Sequence, residues 1–177
     1  MKKSILKKFL ILLLCGTITC FTGCGKDLEQ SIDKAVLKGN QYTTSTTLIY
    51  KQTTEKMIRS EPYIFRQFNV SSGELIAHSE TDMTFVYSQD KKRFVGIKIN
   101  TINKDSDAYF GAKFSLFEIC CNLPFFPQEQ VAQLLNGVKK DLQIGNYYTM
   151  EITNDYNKQK AIFWIIHEDY KDWVNDF

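Results

Sequence analysis

Apolar positions along this chain recur at two periods, and each change of period marks a change of element. Over 26–38, Leu28, Ile32, Ala35 and Val36 fall at i, i+4, i+7 and i+8, one stripe of a helix. Asp27 and Glu29 stand in its first turn, where the helix dipole favours acids, and Gly39-Asn40 supplies a stop. The period then drops to two. A Thr-rich strand is expected over 43–50, with Thr44, Thr46, Leu48 and Tyr50 on one face. Glu61-Pro62 reads as a break before a strand over 63–70. Ile64, Arg66, Phe68 and Val70 make its core face; Tyr63, Phe65, Gln67 and Asn69 make the other. Ser71-Ser72-Gly73 is a turn, and 75–78 a short third strand.

The clearest hairpin is 81–100. Met83, Phe85 and Tyr87 alternate with Thr84, Val86 and Ser88; after a polar turn at 89–92, Val95, Ile97 and Ile99 alternate with Gly96, Lys98 and Asn100. This predicts an antiparallel sheet with one wet face. Lys91, Lys92 and Arg93 give the hairpin a basic tip, read as a solvated turn.

Phe110, Phe114, Phe117 and Cys121 then fall at i, i+4, i+7 and i+11, with Tyr109, Leu116 and Cys120 beside them and Asp105 or Ser106 as a cap. This predicts a deeply buried helix over 107–122, apolar almost all round. Residues 108–116 also alternate, so a buried strand is the competing reading. Pro127 opens a second helix over 127–142 at a position where its missing N–H costs nothing, with Val131, Leu134, Leu135, Val138 and Leu142 as its stripe and Gly137 weakening its middle. After Ile144-Gly145-Asn146 a closing hairpin follows. Tyr148, Met150 and Ile152 alternate with Tyr147, Thr149, Glu151 and Thr153, and 154–158 is the turn. The run 161–166 is apolar on both faces and reads as a covered strand. Tyr170, Trp173, Val174 and Phe177 form a last helical stripe that docks on the body. The predicted architecture is α+β: an antiparallel sheet covered on one face by the helices 107–122 and 127–142, with the first and last helices at its margins.

Ahead of all this stands a segment of different character. Lys2, Lys3, Lys7 and Lys8 precede the apolar run of residues 9–15, and mostly small and polar residues follow to Gly23. This is the pattern of a secretory signal. A membrane-spanning helix is the competing reading, but Gly16, Thr17, Thr19, Thr22 and Gly23 dilute the uncharged stretch. Phe21-Thr22-Gly23-Cys24 resembles the lipobox of bacterial lipoproteins, with Phe21 where that family most often has Leu. The resemblance implies a diacylglycerol on the sulfur of Cys24 and cleavage just before it, after Gly23. The chain would then divide into a removed signal, 1–23, and one domain, 24–177, held by membrane lipid at the extracytoplasmic face of a bacterial cell membrane. Two acyl chains suffice for stable anchoring, where one holds only marginally.

A second, looser resemblance covers 81–166. The strand hairpin, the apolar helix, Leu123-Pro124-Phe125, the helix begun by Pro127-Gln128-Glu129-Gln130, the Ile-Gly step and the closing hairpin are similar to a domain of uncharacterised surface lipoproteins of Gram-positive bacteria. It implies topology and location, and no activity.

Charge changes the picture in one respect. The whole chain carries 22 Lys+Arg against 20 Asp+Glu. Without the four signal lysines it carries 18 against 20, so the net charge moves from +2 to −2 and gives no ground for nucleic-acid binding. Of five cysteines only Cys120 and Cys121 belong to the 24–177 domain beyond Cys24. They are adjacent, which strains a disulfide, and they read as buried small hydrophobes. Two histidines, His78 and His167, give a His-based triad or a metal site little to draw on. His167-Glu168-Asp169 reads as a strand end, and Asp82, Asp90, Asp105, Asp107 and Glu118 have no spacing that selects a catalytic pair. Neither a catalytic residue, a metal ligand nor a cofactor is expected. The residues point to a non-catalytic binding module at the cell envelope with an envelope protein as partner. A lipid or hydrophobic-ligand carrier, with a cavity between sheet and helices, is the alternative, and an enzyme using two carboxylates stands third.

Overall fold

The computed structural model of the protein describes residues 25–42, 46–72, 80–136, 142–153 and 159–177. The fold is α+β. Seven antiparallel strands form one sheet in the order β1-β2-β3-β4-β7-β6-β5. The strands are β1 Thr46–Ile58, β2 Glu61–Ser72, β3 Thr81–Ser88, β4 Arg93–Thr101, β5 Gln143–Ile144, β6 Tyr147–Thr153 and β7 Ala161–His167. The first four make a meander. The chain then crosses by helices to the far edge and returns, so that β7 closes against β4 with Ile97 opposite Ile165 and Ile99 opposite Phe163.

Helix α1, Gly25–Tyr42, buries the expected stripe: Ile32, Ala35 and Val36 are in the core and Leu28 packs against it. The predicted stop is corrected, because the helix runs on through Gly39 and Asn40. Gly39 serves close approach instead, since a Cβ there would lie 3.1 Å from Cγ1 of Ile119. Asn40 reaches across to β1, its amide nitrogen donating to the Leu48 carbonyl at 2.9 Å and its amide oxygen accepting from the Leu48 N–H at 2.8 Å.

The turn between β1 and β2 lies at Arg59 and Ser60, both with positive φ (49° and 66°), not at Glu61-Pro62. Pro62 pairs only with Met57, beyond the point where β3 joins β2 at Ile64, so its missing N–H removes no bond to β3. Ile64, Phe68 and Val70 face the helices as predicted.

The single wet face is also corrected. Over 83–88 β3 is covered on both sides, with Thr84, Val86 and Ser88 buried like their alternates, while Asn100 of β4 stays exposed on the second face. The cause is the end of the chain. A 3₁₀ segment, Glu168–Trp173, and the residues after it fold over the second face and seat Tyr170 and Phe177 against Tyr63, Phe65, Val86, Val95, Trp164 and Ile166. The last stripe therefore docks as expected, but as a 3₁₀ segment on the opposite face from the other helices. Val95 belongs to this second cluster rather than with Ile97 and Ile99, because a bulge between Val86 and Tyr87 turns it over.

Helix α2, Asp107–Cys121, is a helix and not a strand, and Ser106 caps it by accepting from the Tyr109 N–H at 3.2 Å. Helix α3 is only Gln128–Val131, continued by a 3₁₀ stretch Ala132–Asn136, where one long helix is predicted. Pro127 caps it from outside, its carbonyl accepting from the N–H groups of Gln130 and Val131. Val131 and Leu134 are buried. The predicted strand 75–78, the turn 154–158, Gly137, Val138 and the segment 1–24 lie outside the described residues.

Candidate functional site

Helix α2 carries two apolar stripes, and only one is in the core. Tyr109, Ala112, Leu116, Ile119 and Cys120 are buried against the sheet. The stripe singled out by periodicity lies on the other side: Phe110 is 55% exposed and Phe114 70%, while Phe117 and Cys121 are half-buried. The expectation of deep burial all round is thus overturned. The sheet covers one side of the helix, and Gly111 brings its start hard against β1. A Cβ at Gly111 would overlap the Thr46 side chain, so a larger residue there would push α2 off β1.

The outward side of α2 also carries charge. Asp107 stands exposed in its first turn, and Glu118, eleven residues on, falls on the same face, about 16 Å along the axis. Neither makes an ion pair among the described residues. Lys113 lies at the border of this face, its Nζ 4.2 Å from the ring centre of Tyr109 and 5.0 Å from that of Phe110. Burial pulls the Lys113 pKa down, and the Glu151 carboxylate partly restores it.

The two helices run in opposite directions. Asn40, near the end of α1, bonds to Leu48 near the start of β1, whereas Glu29 and Asp33 hold Arg66 further along the sheet, toward the β1–β2 turn. Gly111, near the start of α2, rests on Thr46, the first residue of β1. The amino end of α1 and the exposed phenylalanines therefore lie toward opposite ends of the sheet.

Two phenol groups inside the fold are unusual. The hydroxyl of Tyr87 is buried with no hydrogen-bond partner among the described residues, and that of Tyr109 is buried beside Glu151. Burial, and after it the negative charge of Glu29, pushes the Tyr87 pKa up to about 12. Tyr109 is raised as well, by burial first and then by Glu151. Both sit in the interface between sheet and helices.

The other residues singled out in sequence are placed as follows. Gly23, Cys24 and His78 lie outside the described residues. Cys120 is a buried free thiol, its pKa raised well above the usual range by burial; Cys121 is a free, half-buried thiol, raised by burial and by Glu118. His167 caps the 3₁₀ segment, its Nδ1 accepting from the Asp169 N–H at 3.2 Å, so the His-Glu-Asp triplet is a strand end. The basic tip is tied into the fold, Lys91 to Glu61 and Arg93 to Asp169. Asp82 pairs with Lys51 at 3.4 Å, and Asp90 and Asp105 are exposed in separate turns. Among the described residues no three His, Cys, Asp or Glu side chains gather as a metal site, and no helix is long and apolar enough to cross a membrane.

Comparison with known proteins finds no family model, no curated protein and no solved structure that matches this chain significantly. The class is an α+β domain in which α2 turns Phe110 and Phe114 to solvent.

Proposed function

We propose that this protein is a non-catalytic interaction module, tethered to the outer face of a bacterial membrane through lipid on Cys24, and that the outer side of α2 is its contact surface. One observation carries the reading. Phe114 is 70% exposed directly across the helix from Leu116, which is wholly buried. Phe114 takes no part in the core, and clustered exposed aromatics mark interaction surfaces more often than chance exposure. The direction of the helices supports a partner away from the bilayer. A lipid on Cys24, one residue before α1, would hold the β1–β2 end of the sheet nearest the membrane and leave the start of α2 turned outward.

The carrier reading is second, and the orphaned hydroxyl of Tyr87 is what favours it, since a ligand's polar atom would satisfy it. Native intact mass of the protein, extracted gently from its own membrane, tests both. The mass of residues 24–177 plus acyl chains is the expected result, and an uncut chain from Met1 would overturn the anchor. An added noncovalent mass in the range of a lipid would favour the carrier.

A further inference from the structure

The occupant of the α2 surface can be named more closely from the charges around it, an inference that rests on the reading of that surface given above. Phe110 and Phe114 are flanked along the axis by Asp107 and Glu118, two acidic groups with no ion pair among the described residues and about 16 Å apart. An anionic bilayer would bring its phosphates against both carboxylates, so the face is poorly matched to lipid headgroups. It matches a protein segment that is apolar in the middle and basic at both ends. Helix-on-helix docking has this form, with apolar side chains at i, i+3, i+4 and i+7 and opposite charges at the rims fixing register. We propose that α2 docks a helical segment of another protein, about three turns long, whose apolar face covers Phe110 and Phe114 and whose terminal Lys or Arg residues meet Asp107 and Glu118. Lys113 sets its ammonium 5.0 Å from the ring centre of Phe110, at the edge of this face, and pairs with neither acid among the described residues.

The test uses the full chain held in nanodiscs of neutral phosphatidylcholine, so that it does not depend on whether Cys24 is lipidated. The probe is a fluorescent synthetic helix with Leu at i, i+3, i+4 and i+7 and Lys at both ends; its twin carries Glu at the ends. The Lys peptide is expected to bind the loaded discs above empty ones, about tenfold tighter than the Glu peptide at low salt. Phe110→Ser with Phe114→Ser should weaken it about tenfold, and Asp107→Asn with Glu118→Gln should bring the two peptides within about threefold of each other. Unchanged thermal midpoints of the variants will show that they are folded. Equal binding of the two peptides, no binding above empty discs, or indifference to the phenylalanine variant would each overturn the proposal. A photoreactive group at position 114 that labels disc lipid in place of the peptide would overturn it in favour of a bilayer contact.

Discussion

Arg66 of β2 holds Asp33 of α1 with both prongs of its guanidinium, Nε to Oδ1 at 2.8 Å and Nη2 to Oδ2 at 2.9 Å. The remaining nitrogen serves Glu29, one turn earlier, and Oγ1 of Thr53. The guanidinium also lies 4.6 Å from the ring centre of Tyr50. Its side chain is only 12% exposed, while Asp33 is 47% exposed, so one partner remains well hydrated. The pair fastens α1 to the sheet and screens the one charged position of an otherwise apolar face. Arg66→Ala should lower stability by about 1–2 kcal/mol, near the low end for a buried pair because the carboxylates are hydrated. Arg66→Lys should recover less than half, since an ammonium cannot reproduce the fork. Urea denaturation of the double-mutant cycle with Asp33→Ala checks the coupling; a coupling near zero would show that α1 is held by its apolar stripe alone.

Packing is tightest at two glycines, Gly111 against the Thr46 side chain and Gly96 against the backbone of β7. Gly111→Ala should cost about 1–3 kcal/mol, because the new methyl meets Thr46 and α2 must shift off β1. Gly96→Ala should cost more, since its Cβ would lie 2.1 Å from the carbonyl oxygen of Ile165, a backbone atom with no rotamer to change. Thermal melts of both variants rank them, and equal midpoints would show that the sheet yields as readily as a side chain.

The two sides of α2 should answer oppositely to truncation. Leu116→Ala removes a fully buried side chain and should cost about 2–5 kcal/mol. Phe114→Ser removes a larger one and should change stability by no more than about 0.5 kcal/mol in the isolated protein. Denaturant midpoints decide the matter; a large loss at position 114 would mean that the phenylalanine stripe is the core side.

Among the described residues, Tyr63, Tyr87, Tyr109 and Tyr147 have raised pKa values, in each case chiefly because burial disfavours the phenolate. The folded state therefore holds these protons more tightly than the unfolded chain. Their contribution to stability is complete below the ordinary tyrosine value of about 10 and falls as pH rises through it toward 12 and beyond. Ultraviolet titration should show these four ionising only together with loss of the fold. Smooth ionisation of all nine tyrosines near pH 10, with the near-ultraviolet circular dichroism intact, would contradict the burial.

Cys24→Ala tests the tether. The variant should remain uncut and take up no radiolabelled fatty acid, whereas Cys20→Ala should be processed normally. Normal cutting and labelling of the Cys24 variant would remove the lipoprotein reading.

The sequence by itself determined the elements and most of their inward faces. Alternation in β2 put Ile64, Phe68 and Val70 toward the helices, and the two-sided apolar run of β7 placed it inside the sheet, because a period of two leaves a strand only two faces to choose between. Tertiary structure alone decided three things. Periodicity finds a stripe but not the side a neighbour covers, so α2, apolar on both sides, could turn either way until the sheet took Leu116 and Ile119 into the core. Val86 and Val95 on the second face are dry because Phe177 comes from seventy-six residues beyond Thr101 to cover them, a contact no local pattern encodes. The placement of Arg66 beneath two acids of α1 likewise depended on how a helix and a strand were set against each other, and the sequence holds those partners thirty-three and thirty-seven residues apart.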